Sequence, residues 1–520
     1  MFIPSSLFWT SIRCSAASFA LALVFLLAPI VCLAPIVCLA PSAHGAGEEH
    51  PAAKPVKNAA AGAVHGGPSL GKELSVVTVA PFALLLLCIA ILPLFYSHWW
   101  EHNSNKGIIV AVLSLPLVLY LLFGVSLDWG HDIVDKLKEY VSFMVLLGAL
   151  YVISGGIFVK GSLNGTPLSN TALLGLGALL ASVIGTTGAS VLLIRPLLRA
   201  NKSRRDVVHI VVFFIFVVSN CGGLLTPLGD PPLFLGFLKG VPFEWTLVQL
   251  WPQWLAVNIS LLVIFNVWDQ FALDREEKVR PGSQLEEVMK HEPISVLGLH
   301  NFLFLGGIVA TIYFSGVLFK GDPKSWGISE AIMAALAAAA YFLTPHSNRE
   351  NNKFTFAPII EVAVLFIGIF ITMAPALQIL NSWGKHERDV LGFAFGMDQP
   401  WQFFWASGAL SSFLDNAPTY LTFAATACGM KGIAVGDGQY MREFINLPPN
   451  MGSLALLKAI SCGSVFMGAN TYIGNGPNFM VKAIAEENGV KMPSFFGYMA
   501  YSGLILIPIF VLVTVIFFRG

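Results

Sequence analysis

Long apolar stretches alternate with short polar breaks along most of the chain, and the stretches are long enough to cross hydrocarbon. About 20 consecutive apolar residues span a bilayer core. Ten segments fit that length: 74–96, 107–127, 139–159, 207–228, 247–267, 296–319, 328–343, 356–377, 451–473 and 495–518. Two further apolar runs, 171–198 and 401–428, carry a polar, turn-forming cluster at their middle. In the first it is Gly185-Thr186-Thr187-Gly188, and in the second Asp415-Asn416-Ala417-Pro418-Thr419. Lipid does not tolerate such backbone unless it is buried in protein or lines a cavity. Each run therefore predicts a re-entrant hairpin, entering and leaving by one side. The expected fold is an all-α integral membrane protein with about ten transmembrane helices plus two hairpins.

Composition agrees. Hydrophobic residues make up 56% of the chain and charged residues 12%, against about 25% charge in a soluble protein. The formal net charge is zero, so nothing points to nucleic acid as a partner. The seven cysteines, Cys14, Cys32, Cys38, Cys88, Cys221, Cys428 and Cys462, are scattered with no CxxC pair. Small apolar packing residues are the expected role for most of them.

Residues 1–46 carry Arg13, an apolar stretch containing LAPIVC twice, and a small-residue exit at Pro41-Ser42-Ala43. That is the pattern of a secretory signal peptide, with a retained anchor as the alternative. Residues 47–73, rich in Ala, Gly, Pro and Lys, are expected to be a disordered linker on the exported side. Arg195, Arg199, Lys202, Arg204 and Arg205 form the densest basic cluster, which the positive-inside rule places in the cytoplasm. Counting spans from an exported N-terminus gives the same side. The expected location is the inner (plasma) membrane, crossed many times.

The two halves repeat. Ala181-Ser182-Val183-Ile184-Gly185-Thr186 aligns with Ser411-Ser412-Phe413-Leu414-Asp415-Asn416, and Ser219-Asn220-Cys221 with Ala469-Asn470-Thr471. Gly229-Asp230 then meets Gly474-Asn475 after a five-residue contraction. The order span, hairpin, broken span recurs with opposite topology, the signature of an inverted-repeat transporter. The first repeat is expected over 74–268 (hairpin 171–198, broken helix 207–240), a cytoplasmic linker over 269–295, and the second repeat over 296–520 (hairpin 401–428, broken helix 451–484).

The chemistry is expected at the breaks. Ser219-Asn220-Cys221-Gly222-Gly223, followed by Thr226-Pro227-Leu228-Gly229-Asp230-Pro231-Pro232, cannot continue a regular helix, because proline removes a donor and clashes with the preceding turn. Gly468-Ala469-Asn470-Thr471, followed by Gly474-Asn475-Gly476-Pro477, interrupts the second half in the same way. An exposed interhelical loop is the bland alternative for each. Asp415 and Asp230 are the foremost candidates, since a carboxylate at membrane depth is costly unless paired, protonated or bound to a cation. Either could hold sodium and trade it for a proton, or simply cap the half-helix after it. Substituting Asp415→Asn is accordingly expected to abolish coupled transport. Asn416, Thr419, Ser219, Asn220, Thr226, Asn470, Thr471, Asn475, Thr186 and Thr187 supply neutral oxygens and amides around them. Glu361 and Lys458 are expected to snorkel to headgroups, and His209 to be structural. No P-loop, HExxH or GxSxG occurs, so an enzyme is not expected and no cofactor is needed.

The Ser219–Pro232 motif and Leu414-Asp415-Asn416-Ala417-Pro418-Thr419 resemble the ion transporter superfamily. Closest in look are the NhaD-type sodium/proton antiporters and the citrate-transporter-like membrane proteins grouped with them. The resemblance covers roughly 74–518. It implies fixed spans around a mobile unit of hairpins and broken helices, commonly in a homodimer. Related dicarboxylate carriers bind carboxylate and sodium through a Ser-Asn-Thr signature in each half. Here Ser219-Asn220-Cys221 and Ala469-Asn470-Thr471 each differ from it by one residue. Two carboxylates and no nearby arginine favour sodium/proton antiport, with sodium and protons as the transported ions. The alternative is citrate or a related oxyanion, held by the hydroxyl-rich tip at Thr186 and Thr187.

Overall fold

The structure is a computed structural model that describes residues 74–126, 129–162, 164–282, 292–318, 326–387, 389–390, 396–436 and 438–519. The expected signal peptide (1–46) and linker (47–73) lie outside the described residues, as do residues 283–291 of the expected cytoplasmic linker. The chain is an all-α membrane protein. Its first helices are α1 (Ala80–Phe95), α2 (Asn103–Leu119) and α3 (Trp129–Gly155). A hairpin follows, α4 (Pro167–Ile184) and α5 (Thr186–Ala200), then the broken pair α6 (Val208–Val217) and α7 (Pro231–Leu238), then α8 (Phe243–Val279). The same order recurs as α9 (Asn301–Leu318), α10 (Ile328–Leu343), α11 (Ala357–Gly384), hairpin α12 (Pro400–Ser411) and α13 (Asn416–Met430), broken pair α14 (Ser453–Phe466) and α15 (Gly476–Glu487), and α16 (Phe495–Val513).

Among the described residues, nine helical stretches are long and apolar enough to cross a membrane. One of them, Pro167–Ile184, is a hairpin arm. Large apolar side chains such as Val112, Leu115, Phe271, Leu303 and Leu504 stay exposed on the outer helices, a surface that only lipid covers without cost. The broken helix α6 is the reverse: every residue from Ile210 to Val217 is buried, which explains why that run is apolar all round.

The two hairpins open toward opposite faces. Arg199, at the open end of the first, donates to the Val159 carbonyl at 2.7 Å, and Asn170 donates to Asp269 at 2.9 Å. At the second, Asn381 donates to the carbonyls of Ala425 and Ile433, both at 2.9 Å. Beyond it the Met441 amide donates to the carbonyl of Lys239, the residue that ends α7. Since α6 starts beside Asp269 and α7 ends at Lys239, the basic segment 195–205 marks one face and Lys239 the other.

Several boundaries differ from the sequence reading. Helix α3 begins at Trp129, ten residues before the expected 139, and so absorbs the charged stretch taken for a loop. Its charges pair: Lys138 with Asp135 at 2.7 Å, Lys136 with Glu139 at 3.1 Å, and Lys239 with Glu139 from across the fold. Helix α8 runs to Val279, into the expected linker, and Glu292–Leu297 of that linker forms β2, antiparallel to β1 (Phe158–Ser162). Glu361 does not stand alone: it meets the buried Lys106 at 2.7 Å. His209 is tied to Asp269 at 2.8 Å, and Asp269 also receives Arg204 at 2.6 Å, so a fully buried polar knot clamps α4, α6 and α8 together.

Candidate functional site

Each broken helix folds back through a pair of glycines. A Cβ on Gly229 would lie 2.1 Å from the Gly223 carbonyl, and one on Gly474 would lie 2.6 Å from the Gly468 carbonyl. No side chain fits such an approach, so glycine is required at both. A threonine hydroxyl then ties each break to the neighbouring hairpin: Thr226 donates to the Ser182 carbonyl, and Thr471 to the Ser412 carbonyl. In return Ser182 donates to the Gly222 carbonyl at 2.5 Å and Ser412 to the Met467 carbonyl at 3.2 Å.

These matched bonds set the register of the repeat. Ser219 pairs with Ser464, Gly223 with Gly468, Thr226 with Thr471, Gly229 with Gly474, Asp230 with Asn475 and Pro232 with Pro477, without interruption. The expected pairing of Asn220 with Asn470, and the five-residue contraction it demanded, is thereby corrected. Asn220 falls opposite Val465. The hairpin alignment holds as expected, placing Gly185 opposite Asp415 and Thr186 opposite Asn416.

Asp230 is where the four interrupted segments converge. It is the N-cap residue of α7 and is 1% exposed. Thr186 of the first hairpin tip donates to Oδ1 at 3.1 Å, Asn475 of the second break donates to the same oxygen at 3.2 Å, and Asn416 of the second tip donates to Oδ2. All three donors are neutral and buried. Asn475 also reaches the Ser219 carbonyl at 3.1 Å and Asn220 Oδ1 at 3.3 Å. Asn220 in turn donates to Asn478 at 2.7 Å, which ties the two breaks together. Ser219 shares a hydrogen bond with Ser190 at 2.8 Å.

The other expected residues lie around this centre with different tasks. Asp415 is half-buried and caps α13, accepting from the Ala417 amide at 3.0 Å. Thr419 donates back to the Asp415 carbonyl at 2.9 Å. Thr226 and Thr471 are engaged in the hairpin ties. Asn470 donates to Ser412 Oγ at 2.9 Å, while its own Oδ1, like Oδ1 of Asn416, is buried without a hydrogen-bond partner. Such acceptor oxygens are costly to leave bare and suit a bound cation. Among the described residues no three His, Cys, Asp or Glu side chains gather as a metal centre. Ser182, Ser412 and Asn478 were missed by the sequence reading. The two serines could have been found, for they occupy the same place before each hairpin tip.

A cleft of about 440 Å³, mouth included, opens against Asp230. Its floor is Gly185-Thr186-Thr187-Gly188 with Gly229 and Asp230, and its wall is Phe143, Leu146, Leu147 and Leu150 of α3. Among the described residues, no lysine or arginine lines it.

Comparison with known proteins adds two findings. The sequence pattern of the family described as "Putative citrate transport" matches residues 71–518. An uncharacterized transporter of Schizosaccharomyces pombe is 33% identical over 91 residues, which is 17% of this chain and 10% of that protein. The chain thus matches about a tenth of the length of that curated relative.

Proposed function

Because the chain belongs to the putative citrate transport family, a family of membrane transporters, we propose that it exchanges sodium for protons at Asp230 by alternating access. The observation that carries this reading is one buried carboxylate fed by Thr186, Asn416 and Asn475, three neutral donors, with no lysine or arginine among the described residues lining the adjoining cleft. A carboxylate so placed needs a positive partner at each stage of a cycle. A proton supplies it in one state and a sodium ion in the other, since both compete for the same oxygens. Buried oxygens of Asn416 and Asn470 that lack partners support a hard cation, which favours oxygen ligands.

The supporting frame is two inverted halves meeting at the breaks, with the segment 195–205 in the cytoplasm, in the plasma membrane, and as a homodimer. A second reading has a specific observation in its favour. The hydroxyl-bearing tip at Thr186 and Thr187 opens on the same cleft, and the family description names citrate. In that reading citrate or a related oxyanion is the cargo and the carboxylate site carries the coupling cation.

Proteoliposomes with an imposed pH gradient and a pH-sensitive dye separate the two. Collapse of the gradient by NaCl or LiCl alone is the expected result. A response that requires citrate, with none to either salt alone, would replace antiport by the oxyanion reading.

A further inference from the structure

A second cleft lies along the same interface, nearer the face marked by Lys239. It is about 400 Å³ and is lined by Asp132, Asp135, Lys136 and Glu139 of α3, by Lys239, and by Gln378 of α11. Between it and the Asp230 cleft the interface is shut twice over. Glu139 on α3 forms an ion pair with Lys239 at the end of α7. Next along α3, Phe143 packs against Phe234 of α7, with ring centres 6.4 Å apart, and stacks on Phe366 at 5.0 Å. Lys239 is buried, 4% exposed in its side chain, and lies 5.8 Å over the Tyr440 ring.

Helix α7 makes this arrangement matter for the site. It is eight residues long, with Asp230 as its N-cap and Lys239 as its C-cap. One short rod therefore carries the candidate exchange carboxylate at one end and the buried ammonium at the other. Whatever holds Lys239 against α3 also holds Asp230 in its place and keeps the aromatic pair closed. Lys136 does not share this role, since it and Glu139 sit on the same helix at i and i+3.

We propose that Lys239 and Glu139 are positioning residues for Asp230: their ion pair latches α7 to α3 and closes the route from the second cleft to the site. The second cleft is then the vestibule on that face. Its carboxylates Asp132, Asp135 and Glu139 are balanced by Lys136, Lys239 and the Lys138 that pairs with Asp135, so the vestibule is polar without a net charge. The expected sodium response rests on the antiport reading; the latch does not.

The test is labelling of Leu146→Cys on the cleft wall, in the full-length protein with its seven native cysteines replaced by alanine, by a membrane-impermeant maleimide applied from the Lys239 face. Lys239→Met removes the bridge while leaving Glu139 its partner Lys136, so no charge is stranded. Labelling is expected to rise about tenfold, within the usual range of coupling between two states, and the apparent sodium KM to shift with it. Lys239→Arg should restore the parent rate, and Lys136→Met should not depart from it. The double variant Glu139→Gln with Lys239→Met repeats the test with both charges gone, should the single variant fold poorly. Parent-rate labelling in a folded variant lacking the bridge would overturn the latch. Faster labelling with no sodium response in any variant would uphold the latch and sink antiport instead.

Discussion

Asp230→Asn separates the chemistry of the site from its stability, because the structure shows how the amide would be housed. Its oxygen keeps the bonds from Thr186 and Asn475, now at 3.1 and 3.2 Å. Its new NH2 group replaces the oxygen to which Asn416 donates. A flip of the Asn416 amide resolves that clash, since Oδ1 of Asn416 has no partner and would accept from the newcomer. All three charge-assisted bonds become neutral ones, a loss of about 1 kcal/mol each that removal of a buried charge offsets in part. Asp230→Ala offers no such repair. It strands the donors of Thr186 and Asn416, while Asn475 keeps the Ser219 carbonyl and Asn220 Oδ1; at about 1–3 kcal/mol each the loss is roughly 2–6 kcal/mol. Thermal unfolding in detergent should therefore rank the wild type just above Asp230→Asn and well above Asp230→Ala. Sodium-driven proton flux in proteoliposomes should fall to background in Asp230→Asn despite its intact fold. Wild-type flux in that variant would refute the assignment of Asp230 as the exchange group. An Asn variant as unstable as the Ala variant would refute the account of its hydrogen bonds.

Two further outcomes follow from neighbouring geometry. Asp415→Asn should keep coupled exchange and change stability by less than about 0.5 kcal/mol, because Asn caps a helix as well as Asp and the bond to the Ala417 amide persists; loss of sodium-driven flux would bring Asp415 back into the exchange site. Asp269→Ala should destabilise by about 3–5 kcal/mol, the usual cost of stranding one partner of a buried ion pair, since Arg204, His209 and Asn170 all bond to that carboxylate; an unfolding midpoint near the wild type would show that the knot is not needed to hold α4, α6 and α8.

The hairpins and the breaks were legible in the sequence because their signals are local. A polar cluster at the centre of an apolar run, or glycines and prolines crowded into a span, cannot form regular helix in lipid. What escaped depends on partners distant in the chain. The charged residues 132–138 fell outside the expected span 139–159, and Lys239, one hundred positions from Glu139, supplies a partner that no local pattern announces. The register of the second break went astray because an Asn in each half, Asn220 and Asn470, attracted the alignment. The glycine pairs that set the true register act through backbone contact, which identity alone does not report. The different surroundings of the two aspartates were hidden for the same reason. Asp415 satisfies itself two residues away, whereas the partners of Asp230 come from positions 186, 416 and 475.

The corrected register also explains how a repeated scaffold can hold a single buried carboxylate at its centre. The side chains that meet at Asp230 differ from their counterparts in the other half: Gly185 corresponds to Asp415, Thr186 to Asn416, and Asp230 to Asn475. Had both halves kept an acid at the position of Asp230, two carboxylates would stand within a hydrogen-bonded cluster. Like charges that close cannot both ionise, so one proton would be trapped between them. With Asn475 there that conflict does not arise, and its amide donates directly to the Asp230 carboxylate. The same divergence places a hydroxyl and an amide, rather than two identical groups, at the two hairpin tips that contact Asp230. The backbone ties, Thr226 to Ser182 and Thr471 to Ser412, have not diverged. Symmetry is thus kept where each break is tied to its hairpin, and broken where a single charge has to be held.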